Sequence, residues 1–213
     1  MVARPGRARA AAHPDQRLDR PRRPVAPCRP RPLPSFPPVH DPQETCRVLS
    51  PAALPDYRPC VGVMLLNADG LVWAGKRTPE GGVDPDYCWQ MPQGGIDAGE
   101  DPLVAARREL YEETAIRSIS LIAEAPSWFS YDYPADIVPL RHKARYKGQT
   151  QKWFAFRFEG EESEIDILTP PDGHKPEFSE WRWQRAEELP GLVIPFKRAV
   201  YEGVVQAFSA FTR

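Results

Sequence analysis

From Tyr57 onward, apolar and polar positions fall into short blocks, and the spacing inside each block predicts its element. Val61-Gly62-Val63-Met64-Leu65-Leu66 is an apolar run of strand length. Asn67-Ala68-Asp69-Gly70 then has turn chemistry and Leu71-Val72-Trp73-Ala74 resumes the run, which predicts a hairpin. Trp89-Gln90-Met91-Pro92-Gln93-Gly94-Gly95 suits neither strand nor helix and predicts a tight loop, because Gly and Pro supply loop geometry. Leu103, Ala106 and Leu110 recur at i, i+3 and i+7, the stripe of a helix packed on one side. Asp101 is placed to cap that helix, and Pro102 to be its first residue. Ile119 to Ala123 reads as a strand. Trp153 to Phe158 reads as another, with Phe154, Phe156 and Phe158 on one face. Trp181-Arg182-Trp183 suggests a further short strand. Pro195 opens a closing helix in which Phe196, Val200, Val204 and Phe208 return every four residues. Strands interleaved with two helices predict an α/β fold, a mixed sheet packed between helices.

Residues 1–55 have no such blocks. The first 50 residues hold ten Arg, no Lys, four acidic residues and eleven of the 26 prolines, for a net of +6. The remainder carries −7, so the overall charge of −1 hides an uneven distribution. A segment like Arg20-Pro21-Arg22-Arg23-Pro24 cannot sustain a helix and has little apolar surface to bury, so 1–55 is expected to be disordered and 56–213 to form one domain. Three readings of the extension compete: a basic arm for nucleic acid, an organelle transit peptide, or a non-native start upstream of the true one. A composition rich in Arg, Pro and Ala but free of Lys favours the last. No apolar run long enough for a membrane span or a signal peptide is expected. Cys28, Cys46, Cys60 and Cys88 form no C-x-x-C pair, so reduced thiols are expected, and a cytoplasmic enzyme is the simplest placement.

The predicted helix after Asp101 carries the chemistry. Glu109, Glu112 and Glu113 stand at i, i+3 and i+4 and therefore share a helical face. Like charges so spaced are mutually destabilising by roughly 0.2–0.5 kcal/mol per pair. A hard divalent cation among them would reverse that, since carboxylate oxygens and substrate phosphates are the ligands Mg²⁺ prefers. The apolar stripe lies mostly on the other side of the helix. Loop, cap, stripe and acidic face fit one loop–helix unit built for phosphate chemistry.

The run from Gly94 to Ile116 resembles the Nudix box, G-x5-E-x7-R-E-U-x-E-E-x-G-U with U aliphatic. Gly94, Glu100, Arg108, Glu109, Leu110, Glu112, Glu113 and Ile116 fill eight of its nine defined positions. Ala115 is the departure, where the family prefers a Gly able to leave the helix left-handed. The resemblance implies the α/β/α sandwich of a Nudix domain, and hydrolysis of a nucleoside diphosphate linked to another group. Further stretches (Tyr57–Gly62, Trp89–Gly95, Gly148–Phe154, Pro176–Phe178 with Trp181–Trp183, and Pro195–Arg198) resemble the bacterial RNA pyrophosphohydrolase branch, close to plant-type diadenosine tetraphosphate hydrolases.

By position, that resemblance makes Glu109, Glu112, Glu113 and Glu177 the catalytic and metal-holding carboxylates, with a backbone carbonyl near Gln93 completing the shell. More than one Mg²⁺ (or Mn²⁺) ion is implied. Arg108 would orient the glutamates with Glu100 as its partner, and Gly94 and Gly95 would be structural. Arg58, Arg77, Lys152 and Lys197 would surround the polyphosphate, with Gln149, Gln151 and Tyr131 (or Tyr133) as further substrate contacts. Phe196 would stack on a base. The expected substrate is a 5′-polyphosphorylated RNA. A dinucleoside polyphosphate is the alternative, and a non-catalytic nucleotide- or RNA-binding module is a distant third. No DNA and no membrane partner is expected.

Overall fold

A computed structural model describes residues 54–77, 85–134 and 145–213. The extension expected to be disordered lies outside the described residues as far as 53. In chain order the elements are β1 (Tyr57–Leu66), β2 (Val72–Arg77), β3 (Trp89–Gln90), β4 (Gln93–Gly95), α1 (Pro102–Thr114), β5 (Ile119–Asp132), β6 (Gly148–Phe158), β7 (Phe178–Gln184), α2 (Leu189–Leu192) and α3 (Arg198–Ala207). The seven strands make one mixed sheet in the order β3-β2-β1-β6-β5, with β4 paired to β1 and β7 to β2. Among the described strands only β1 and β6 run parallel, in register from Tyr57 opposite Gly148 to Leu66 opposite Arg157.

β1 is central and buried on both faces, which accounts for its unbroken apolar run where a half-buried strand would alternate. Val61, Val63 and Leu65 face one core, shared with Ala105, Ala106 and Leu110 of α1 and with Phe154, Phe156 and Phe158 of β6. Met64 and Leu66 face the other, with Trp153, Ala155 and the α3 residues Val200, Tyr201 and Val204. Gly62 lets the Trp153 indole lie flat across the strand, since a Cβ there would fall 2.4 Å from the ring. The layers are therefore helix, mixed sheet, helix, as the pattern predicts.

Three expectations change in detail. The hairpin closes at a single pair, Leu66 opposite Val72, and then its strands part. β4 takes the freed edge of β1, with Gln93 opposite Gly62, while β3 and β7 flank β2. The stretch from Trp89 to Gly95 is thus two short strands around Met91-Pro92 rather than a loop. β5 runs far beyond Ala123, interrupted by register shifts between Leu121 and Ala123 and between Glu124 and Trp128. Pro126, with no N–H to donate, lies in the second irregularity, and such bulges break the alternation that marks a strand.

Helix α1 starts as its sequence predicts. Asp101 Oδ1 accepts from Leu103 N and Val104 N at 2.9 and 3.2 Å, and Pro102 occupies the first turn. At its end Ala115 takes φ 63°, ψ 0° and donates its N–H to Tyr111 O at 2.8 Å. The left-handed exit is kept although the residue is not glycine. Left-handed backbone costs an L-residue about 1–2 kcal/mol, partly offset because glycine loses more entropy on folding. Ala115→Gly is therefore expected to stabilise the protein by about 0.5–1 kcal/mol with unchanged activity, read from the denaturant midpoint. A variant less stable than the parent would contradict this account of the turn.

Candidate active site

Arg108 is the centre of the α1 carboxylate face, and all five of its N–H donors are used. Nε gives to Glu100 Oε1 and Nη2 to Glu100 Oε2, both at 2.8 Å, a bidentate pair. Nη1 reaches Glu109 Oε1 at 2.9 Å and Glu112 Oε2 at 3.1 Å. Nη2 also reaches the Gly95 carbonyl at 2.8 Å. Glu100 in turn accepts the Asp97 N–H at 2.9 Å, which closes the loop onto the helix. The Arg108 hydrogen bonds hold the Glu100 carboxyl below its ordinary range. One guanidinium thus ties the loop after β4 to two glutamates of the helix.

The two glycines of β4 are set by close approach. A Cβ on Gly94 would fall 1.9 Å from the Glu109 carboxyl carbon, and one on Gly95 would fall 2.3 Å from Arg58 Nη2. Only bare backbone admits both side chains to this edge of the sheet. Glu113 lies deeper than the spacing suggested, nearly buried, with its Oε2 accepting the Gln93 N–H at 3.2 Å. Burial first, then the charges of Glu177 and Glu109, push its carboxyl well above the ordinary range. Glu109 is raised for the same leading reason, burial, with Glu112 and Glu177 adding to it. Glu177, on the loop before β7, therefore acts on the buried Glu113 and the half-buried Glu109, and its own Oε2 lies 3.7 Å from Arg77 Nη2.

Among the described residues, no three His, Cys, Asp or Glu side chains are gathered closely enough to cage an ion by themselves. An open arrangement of hard oxygen donors suits a small cation that keeps waters and is completed by substrate phosphates. Glu113, raised first by burial and then by its acidic neighbours, is a carboxyl whose ionised form such a cation would favour. The donor set fits a hard divalent metal.

Several predicted contacts are placed elsewhere. Lys152 Nζ pairs with Glu124 Oε1 at 2.6 Å and donates to the Ala125 carbonyl at 2.7 Å, so it braces the β5 bulge and is not free for phosphate. Gln151 is 1% exposed, with its amide spent on other side chains. Tyr131 belongs to the core, its ring 5.5 Å from Phe196 and 5.9 Å from the half-buried Tyr133. Phe196 keeps part of its surface open. Lys197 is buried, 5.7 Å from the Tyr131 ring and 3.4 Å from Gln90 Oε1, and burial lowers its ammonium to about 8. Arg77 adds to that lowering.

Two residues at the site escaped the sequence reading. His174 Nε2 stands 3.9 Å from Glu112 Oε1, delivered by a turn in which Asp172 and Gly173 both have positive φ. The Asp-Gly pair between prolines was its only signal. Gln90, beside Lys197, lies in the Trp89–Gly95 stretch but carried no role there.

A NUDIX domain model matches residues 56–204. The chain belongs to the Nudix family. It is 61% identical over 160 residues to the RNA pyrophosphohydrolase of Rhizobium meliloti (strain 1021), covering 74% of this chain and 96% of that one. It is 58% identical over 162 residues to the RNA pyrophosphohydrolase of Mesorhizobium japonicum, covering 74% and 92%. Among solved structures, the E. coli dihydroneopterin triphosphate pyrophosphohydrolase aligns over 71% of this chain and 99% of its own, 22% identical, with a TM-score of 0.49. Nudix hydrolases generally need divalent metal ions, in keeping with the oxygen-rich carboxylate face of this one.

Glu113 gives a sign to the pH dependence of the metal-free protein. Its folded pKa is raised, so its contribution to stability is fully present below the ordinary value of 4.5 and is lost as pH rises through the folded value. Glu113→Gln should remove that loss. In chelator, the variant is expected to melt above the parent at neutral pH, with the gap closing toward acid. Mg²⁺ should stabilise the parent more than the variant. A variant that melts below the parent in chelator at neutral pH would count against a strained, metal-seeking carboxylate.

Proposed function

We propose that this protein is a metal-dependent RNA 5′-pyrophosphohydrolase, converting 5′-triphosphate ends to 5′-monophosphates. The observation that carries the reading is identity of 57–61% to proteins named RNA pyrophosphohydrolase, over more than nine-tenths of their length. The assembled carboxylate face supplies the matching chemistry.

In this reading Glu109, Glu112, Glu113 and Glu177 hold Mg²⁺ or Mn²⁺, more than one ion, with main chain near Gln93 completing the shell. Bound ions would neutralise charge on the reacting phosphates and acidify an attacking water. Arg108 touches no substrate; it sets the direction of Glu109 and Glu112. One carboxylate of the cluster accepts the proton of the attacking water. Arg77, beside Glu177, and Arg58, lying over Gly95, would supply guanidiniums for the polyphosphate, and their planar forks suit phosphate oxygens. Lys197 adds a buried cation whose charge is strengthened when phosphate arrives. The partly open Phe196 ring offers a face for a base at the RNA end.

The parent should show kcat/KM on 5′-triphosphate RNA about ten-fold or more above that on diadenosine tetraphosphate, under identical Mg²⁺. A preference for the dinucleotide would overturn the RNA reading in favour of asymmetric polyphosphate hydrolysis. Glu112→Gln should lower kcat on the preferred substrate by about 100-fold, some 2.7 kcal/mol of transition-state stabilisation. Equal turnover in variant and parent would remove the catalytic assignment and leave a binding module.

A further inference from the structure

Four glutamine amides form one connected chain behind the carboxylate face, and donor-only groups fix its polarity from both ends. The Trp153 indole can only donate, so the Gln151 atom 3.1 Å from its Nε1 is the amide oxygen. The Gln151 nitrogen then faces away and spends its two hydrogens on Gln93 Oε1 at 2.8 Å and Gln149 Oε1 at 3.1 Å. The Gln93 nitrogen gives to Gln90 Oε1 at 3.1 Å. At the far end the Lys197 ammonium, also donor-only, points at that same Gln90 oxygen. Both ends demand the same orientation of every amide between them. Turning any one over would set donor against donor or acceptor against acceptor.

The chain reaches the reaction through Gln93. Its side chain is held by Gln151 and Gln90, while its main-chain N–H holds Glu113 Oε2. Gln151 itself, at 1% exposure, is closed to substrate and to replacement water. We propose that Gln151 is a positioning residue: oriented by Trp153, its amide locks Gln93, and through Gln93 it holds the Glu113 carboxylate and the Lys197 ammonium in one working arrangement. Its partner Gln149, half-buried, is held by the same amide, so the site's two sides share one support. The inference rests on the pyrophosphohydrolase reading for the assay, and on the geometry above for the residue. Leucine at 151 would strand the Trp153 N–H inside the protein and take away the donor that holds the Gln93 oxygen. Supporting partners of metal-holding groups characteristically change activity or metal affinity by about 10–100-fold.

The test is steady-state hydrolysis of 5′-triphosphate RNA by the full chain as parent, Gln151→Leu and Trp153→Phe, with Mg²⁺ titrated in each case. The Leu variant is expected to lose about ten-fold in kcat, hold KM within about two-fold, and need more Mg²⁺ for half-activation. Trp153→Phe keeps an aromatic ring in this core but removes the orienting donor together with part of the buried indole, so its melting temperature is measured alongside. It should move kcat and Mg²⁺ demand the same way by about three-fold, and it decides the matter if the Leu variant fails to fold. Parent-like kcat and Mg²⁺ activation in the folded variants would overturn the proposal, even if their melting temperatures fall. A rise in KM with kcat preserved would also overturn it, making Gln151 a substrate contact. If the parent itself releases no pyrophosphate from the RNA, the reaction reading fails and the positioning role in it falls too; an active parent with unaffected variants removes only the latter.

Discussion

Everything at this site depends on a single guanidinium. Arg108 spends each of its five donors on Glu100, Glu109, Glu112 and the Gly95 carbonyl. Glutamates on one helical face repel one another, and without a fixed cation between them their side chains would spread toward solvent. Arginine suits the task because its planar fork meets one carboxylate with two bonds and still has donors for two more. The pair with Glu100 anchors the fork to the loop, so the carboxylates are referenced to the sheet as well as to their own helix. The support is uneven: Arg108 offsets the charge of Glu109 and Glu112, while Glu113 is buried against the Gln93 N–H.

The sheet makes this arrangement possible by coming apart. Because β1 and β2 share only the Leu66–Val72 pair, β4 can pair along β1 and bring Gln93, Gly94 and Gly95 beneath α1. The absent side chains of the two glycines leave room for Glu109 and Arg58. Two separate cores, one under α1 and one under α3, then hold the sheet rigid from both sides. The first positions the carboxylates, the second Tyr201 and the Lys197 end of the amide chain. The carboxylate cluster thus draws on rigid elements, apart from Glu177, which arrives with its neighbour His174 on the loop before β7.

What was legible in the sequence was encoded by spacing. The helix, its Asp101 cap, the Glu109–Glu113 face and the Phe154, Phe156 and Phe158 stripe all follow from local periodicity, and the structure places them so. Long-range partners were not legible. Lys152 looks like a free cation until β5 brings Glu124 beside it, and Gln151 looks like a surface amide until Trp153 and Gln93 close on it. β5 hid its length because Pro126 and two register shifts interrupt its alternation. Ala115 is the opposite case: the motif demanded a left-handed exit, and the backbone takes it against the preference of the residue.

If Arg108 organises the carboxylates for a cation, removing it must weaken metal binding. Simple electrostatics gives the opposite answer, since deleting a positive charge from an acidic cluster should strengthen attraction for Mg²⁺. Calorimetric titration of Mg²⁺ or Mn²⁺ into parent and Arg108→Ala protein separates the two. Affinity lower by roughly ten-fold is expected in the variant. Equal or tighter binding would contradict it.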